Sequence, residues 1–170
     1  MPTPETFSQD CVDLAKASEG CKLTAYDDAH PDRILAPGDV IEGILTIGWG
    51  HTGPDVYIGL VWTQQQTDNV LLADLDRECR YMLALVKVPL TQGQIDALTD
   101  FTFNDGSKRL QHSNMLAILN GGNYKEVPYQ LYHVDADGTP HGWIFSGGVP
   151  LAGLIRRRQG EIALWNKTAA

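Results

Sequence analysis

In the stretch SEGCKLTAYDD, Glu19 stands alone, and eight residues further on come two adjacent carboxylates, Asp27 and Asp28. Two carboxyl groups facing one another can cleave a glycosidic bond. One stays protonated and gives its proton to the leaving oxygen, while the other stays ionised and acts on water or on the sugar. The same residues also suit a plainer role, with Glu19 capping or pairing at its own helix end and the two Asp solvating a turn. Spacing alone leaves both readings open.

The surrounding pattern predicts the elements that hold these groups. Thr3 and Pro4 read as N-cap and first helical residue, and Phe7, Cys11 and Leu14 recur at helical spacing until Gly20 stops the run, with Glu19 at its end. From Leu23 to Gly59 the helical period vanishes. Short β-prone pieces, LTAY and ILTIGWG, alternate there with Pro31, Pro37, Gly38 and Gly43, which predicts a small sheet of hairpins. Thr63 with Gln66 and Thr91 with Gln94 form two capping boxes, the first opening a helix of over twenty residues along Leu71, Leu75, Cys79, Met82 and Val86.

Further helices are expected through Ile95, Leu98 and Phe101, over SNMLAILNGG, and after Pro150, where Leu151, Ile155, Ile162 and Trp165 point inward and Gly160 is a weak point. Asn123 caps a short helix in which Pro128 should remove one backbone bond or cause a bend, and DADGTPHG reads as a turn. The fold class is therefore α+β: a small β-hairpin lobe and a larger all-helical lobe joined by a long helix, with a cleft between. The expected division is 1–62 for the first helix and β lobe and 63–170 for the connecting helix and helical lobe.

Composition narrows the function. The 170 residues, 43% hydrophobic and 20% charged, have the balance of one soluble domain. A net charge of −8 excludes nucleic acid as an expected partner, because such binding needs a basic face to displace phosphate counterions. Arg156 to Arg158 form the only local basic cluster, suited either to an anionic polymer or to a solvated helix face. No apolar run approaches the roughly 20 residues that span a bilayer, so neither a signal peptide nor a membrane anchor is expected. Cys11, Cys21 and Cys79 make no CxxC pair and the five His make no HExxH, so no metal is expected and the thiols read as free.

A second stretch, TIGWGHTG from Thr46 to Gly53, adds specificity. Together the two stretches resemble the phage-type lysozymes, the endolysins of glycoside hydrolase family 24. That pattern runs Glu, eight residues, Asp or Cys, five residues, then the Thr of TIGxGHT. Glu19 and Asp28 keep the first spacing, and TIGWGHT matches throughout. VPLTQGQIDALTDFTFNDG, SNMLAILNGGNY and GLIRRRQGEIALW resemble the family's helical lobe in order. One departure stands out: seventeen residues, 29–45, separate Asp28 from Thr46 where the family has five. A hairpin loop absorbs such length at small entropic cost, so Thr46 is still expected beside Asp28.

The resemblance implies a muramidase that hydrolyses the β-1,4 bond between N-acetylmuramic acid and N-acetylglucosamine in the peptidoglycan glycan strand, for host lysis and phage release. Glu19, its pKa raised by a partly apolar setting, is the implied general acid. Asp28 with Thr46 holds the attacking water. His51, Phe103 and Gln130 fall where substrate contact is implied, although His51 also suits a structural anchor and Phe103 a core position. No cofactor is implied. The protein is expected to be a monomer that waits in the host cytoplasm and reaches the wall through a holin. A lytic transglycosylase is the nearest alternative, disfavoured by the presence of both Asp28 and Thr46. A non-catalytic peptidoglycan-binding protein on the same scaffold is another.

Overall fold

The computed structural model describes residues 6–167, so Thr3 and Pro4 lie outside the described residues. Helix α1 (Gln9–Ser18) starts at Ser8, whose Oγ accepts from the Asp10 N–H at 3.3 Å. Asp96 fixes that start by accepting from the Ser8 N–H and hydroxyl, both at 2.7 Å. Cys11, Val12 and Ala15 are the buried stripe of α1.

The chain forms two compact units, 15–74 and the remainder, so α1 and the long helix α2 (Gln64–Leu85) each belong to both. This differs from the expected boundary at 62. The early turns of α2, with Thr67 and Asp74 buried, serve the smaller unit, while Leu75, Cys79 and Met82 are buried in the larger.

In the smaller unit, β1 (Lys22–Asp27), β2 (Leu45–Gly48) and β3 (His51–Thr52) make an antiparallel sheet in sequence order. Ala25, Ile47 and Val56 form its core, flanked by Leu45, Leu60 and Trp62. Alternation along β1 sends Ala25 and Asp27 inward and leaves Tyr26 half-buried on the other face.

The larger unit is built on α3 (Gln92–Asp105), opened by the Thr91–Gln94 capping box and buried at nine positions from Gly93 to Thr102. Around it lie α4 (Ser107–Gln111), α5 (Asn114–Asn120), a 3-10 turn (Tyr124–Glu126), α6 (Val127–Leu131) and α7 (Ala152–Trp165). Full burial of side chains such as Leu98, Phe101 and Leu119 stabilises this unit by about 1.5–3 kcal/mol each.

Four expectations are corrected here. The larger unit is not all helical, because β4 (Tyr132–Val134) pairs with β5 (Pro140–Gly142) and β6 (Phe145–Ser146) with β7 (Val149–Pro150). Strands of two or three residues are too short to show a period. Pro128 sits in the first turn of α6, where no intrahelical N–H partner is needed, and Asn123 makes no side-chain cap. Gly160 is a point of close approach rather than a weak one, since a Cβ there would collide with Leu14 Cδ1.

The Arg156–Arg158 cluster is not a surface patch. Arg157 and Arg158 are buried on α7. Arg157 grips Asp100 through Nε at 2.8 Å and Nη2 at 2.9 Å. Arg158 reaches Asp105 at 2.7 Å, Asn104 at 2.6 Å and Glu161 at 2.9 Å. Leu151, expected inward, is 43% exposed. Burial drives the Glu161 carboxyl well above the usual range, Arg158 opposing and Asp100 adding to the rise.

Candidate active site

Glu19 is half-buried just past the end of α1, where its N–H still donates to the Ala15 carbonyl at 2.9 Å. Its carboxylate lies against Gly50, where a Cβ would stand 3.5 Å from Glu19 Oε2. Gly50 has φ +89°, a conformation that disfavours any side chain. The TIGWGHT turn thus brings bare backbone to the acid.

Asp27 and Asp28 separate cleanly. Asp27 is fully buried, and its carboxylate accepts from the N–H groups of Ala29 at 3.1 Å, Glu42 at 2.8 Å and Gly43 at 2.9 Å. Those bonds, the one from Glu42 foremost, hold its pKa below the ordinary carboxylate value. Asp28 is exposed, and its Oδ1 accepts from the Ile44 N–H at 2.6 Å.

Thr46 pairs with Tyr26 across the β1–β2 ladder and donates its hydroxyl to the Ile44 carbonyl at 3.0 Å. Asp28 and Thr46 therefore both bond to the backbone of Ile44. A side chain at Gly43 would collide with Asp28 Oδ1 and stand 2.8 Å from Asp27 Oδ1, so only glycine lets the returning chain pass the two carboxylates.

Tyr26 belongs to this site although its sequence context did not single it out. Burial raises its pKa first, and the charges of Glu19 and Asp28 raise it further. Strand alternation carries the signal, because Tyr26 and Asp28 are two residues apart on one face.

The 29–45 segment is internally bonded. Arg33 binds Asp39 at 3.1 Å and the Val40 carbonyl at 3.2 Å, and His30 Nε2 lies 3.0 Å from Glu42. With β1 it lines a groove of about 560 Å³ that includes Lys22, Tyr26, Asp32 and Arg33.

His51 faces a carboxylate from each ring nitrogen, Asp74 at 2.7 Å from Nδ1 and Asp55 at 3.2 Å from Nε2, and its ring packs on Trp62 at 5.4 Å. Asp74 was not predicted, and no local motif marks it. Trp49 donates to Asp68 at 2.8 Å, and Lys16 pairs with Asp68 at 3.0 Å, pinning the same turn to α1 and α2. Phe103 is half-buried beneath the Arg157 guanidinium, 5.7 Å from its ring, and Gln130 is half-buried on α6. Both lie in the larger unit.

The phage lysozyme family pattern matches residues 16–161, which take in Glu19, Asp28 and the TIGWGHT turn. The chain belongs to the phage lysozyme family. It is 35% identical over 150 residues to the SAR-endolysin of Escherichia phage Mu, covering 85% of this chain and 80% of that protein. It is 30% identical over 159 residues to the endolysin of Bacillus phage B103, covering 94% of this chain and 53% of that one. The chain thus spans about half the length of some relatives it matches.

Among solved structures, P22 lysozyme in a mutant form is similar at a TM-score of 0.71 and 32% identity, covering 95% of this chain and 99% of that one. The muramidase domain of SpmX from Asticaccaulis excentricus gives a TM-score of 0.73 at 28% identity, covering 97% of this chain and all of that one. The fold is accordingly lysozyme-like.

Proposed function

We propose that the protein hydrolyses the β-1,4 bond between N-acetylmuramic acid and N-acetylglucosamine in bacterial peptidoglycan, as an endolysin. The observation that carries this reading is geometric: Glu19 lies against the bare backbone of Gly50 in the TIGWGHT turn, Asp28 and Thr46 both bond to the backbone of Ile44, and Asp27 is clamped on the opposite face. Family membership, with a match through both motifs, supports it.

In this reading Glu19 gives its proton to the glycosidic oxygen as the bond breaks. Asp28 stays ionised. Its Oδ1 is engaged by the Ile44 N–H, leaving Oδ2 to accept from water. Thr46 gives its hydrogen to the Ile44 carbonyl, so its oxygen keeps lone pairs with which to accept from a water. A water donating to both turns its lone pair toward the developing cationic sugar. His51 keeps the TIGWGHT turn in place, and Phe103 and Gln130 are the candidate saccharide contacts of the larger unit.

Glu19 and Asp28 both come from this chain, so in this reading the chemistry calls on no second copy and no cofactor. No described helix is long and apolar enough to cross a membrane. In this reading a holin opens the passage from host cytoplasm to wall, and lysis in cells with and without a co-expressed holin measures that dependence. Purified protein should clear permeabilised Gram-negative cells and release muropeptides with reducing ends by mass analysis. Products with 1,6-anhydro ends instead mean a lytic transglycosylase, and wall binding without any products means a binding module.

A further inference from the structure

We infer that the β4–β5 hairpin carries a binding site for a divalent transition-metal cation, built from His133, Asp135 and His141. The three offer ligand atoms that all lie within 4.8 Å of one another.

The hairpin register makes the juxtaposition. His133 and His141 are direct cross-strand partners, and their rings stack with centroids 4.9 Å apart and planes 12° from parallel. Asp135 begins the turn between them. Its Oδ1 is 3.5 Å from His133 Nε2 and its Oδ2 is 3.0 Å from His141 Nε2. An H-x-D-x5-H spacing matches no helical or CxxC pattern, and only the strand pairing closes it.

Protonation favours a cation at this point. His133 Nδ1 lies 2.8 Å from the Tyr129 carbonyl, which can only accept, so Nδ1 carries the hydrogen. In the neutral ring Nε2 then presents a lone pair to the Asp135 carboxylate. Two acceptors face one another, and a positive charge between them resolves the conflict. His141 Nε2 is shielded from solvent and, despite its 3.0 Å approach to Asp135, makes no aligned hydrogen bond.

The surroundings resemble those of metal-binding imidazoles, which usually donate their second N–H to a carbonyl or carboxylate. The Tyr129 ring also stacks on His133 at 3.5 Å, covering its outer face. Two imidazoles and a carboxylate suit Zn²⁺ or a cation of similar preference, with one position left for water. Such a cation would tie the hairpin to the end of α6 through the Tyr129 carbonyl.

Zinc is the probe for the test. Metal-stripped full-length protein is titrated with Zn²⁺ by calorimetry, and histidine ring signals are followed by NMR. One equivalent should bind. The rings of His133 and His141 should shift, while those of His30, His51 and His112 stay in place. His133→Ala, His141→Ala and Asp135→Asn should each weaken binding at least ~10-fold, in line with losses at metal sites. At zinc a hundredfold above Kd, the melting temperature should rise by roughly 5–10 °C in the parent and not in His141→Ala. Circular dichroism of each variant separates lost ligation from lost folding. Binding undiminished in all three variants, or titration without a shift of the two rings, overturns the site and leaves a proton as the charge between the two acceptors.

Discussion

Asp27 and Asp28 are neighbours in the chain with opposite surroundings: Asp27 is fully buried and clamps three backbone N–H groups, whereas Asp28 is exposed and holds only that of Ile44. Substitutions should therefore show a crossed pattern. Asp28→Ala should lose most activity with little change in melting temperature. Asp27→Ala should melt below the parent, because three backbone N–H groups lose the buried carboxylate that accepts from them. Asp32, whose side chain is fully exposed, should tolerate alanine in both respects. Paired melting and muropeptide-release measurements decide this, and an active Asp28→Ala would reassign the second carboxylate.

Glu19→Gln keeps the shape of the side chain and removes the donated proton. Turnover should fall at least ~10²–10⁴-fold with an unchanged melting curve. Retention of more than a tenth of the turnover would falsify the role of Glu19 as general acid.

Glu161 predicts a pH-dependent difference in stability. Its folded pKa lies above the unfolded value of about 4.3, so folding favours the protonated acid. That contribution is complete below the unfolded value and is lost as pH rises through the folded one. Glu161→Gln mimics the protonated form at every pH, and Arg158 retains Asp105 and Asn104. The variant's melting temperature relative to the parent should therefore climb with pH, by roughly 2–4 °C for each kcal/mol. A difference that is flat from acid to neutral pH would mean that the carboxylate is ionised throughout.

The three thiols should react unequally. Cys11 and Cys79 are buried, and burial raises both their pKa values, whereas Cys21 is half-exposed. Native alkylation should label Cys21 first and leave the other two intact until unfolding. Mass mapping of the labelled peptides checks the order.

Much of the scaffold was readable from capping and periodicity. The Thr63 and Thr91 boxes open α2 and α3, and the apolar stripe from Leu71 to Met82 is buried. These signals are local, so a sequence displays them. What it hid depends on partners distant in the chain. Arg157 and Arg158 look like solvated charges until Asp100 and Asp105, more than fifty positions away, neutralise them.

The same holds for the candidate site. Glu19 and Asp28 were singled out through the family resemblance, but the reason Asp27 faces away lies at Glu42 and Gly43, across an excursion with no pattern of its own. Tyr26 was not singled out, although its place two residues before Asp28 was a signal that strand alternation offered. Asp74 beneath His51 was not, because helix α2 brings it there from twenty-three positions downstream.

The Asp27 clamp also separates the length of the 29–45 excursion from the geometry of β1 and β2. Both ends are tied within a few residues of the strands, by Ala29 on one side and Glu42, Gly43 and Ile44 on the other. What lies between can lengthen or shorten with only a logarithmic change in closure entropy. Positions around Ile34, which is 95% exposed, are accordingly a natural port for grafted sequence, such as an affinity tag or a short targeting peptide carried on a working enzyme.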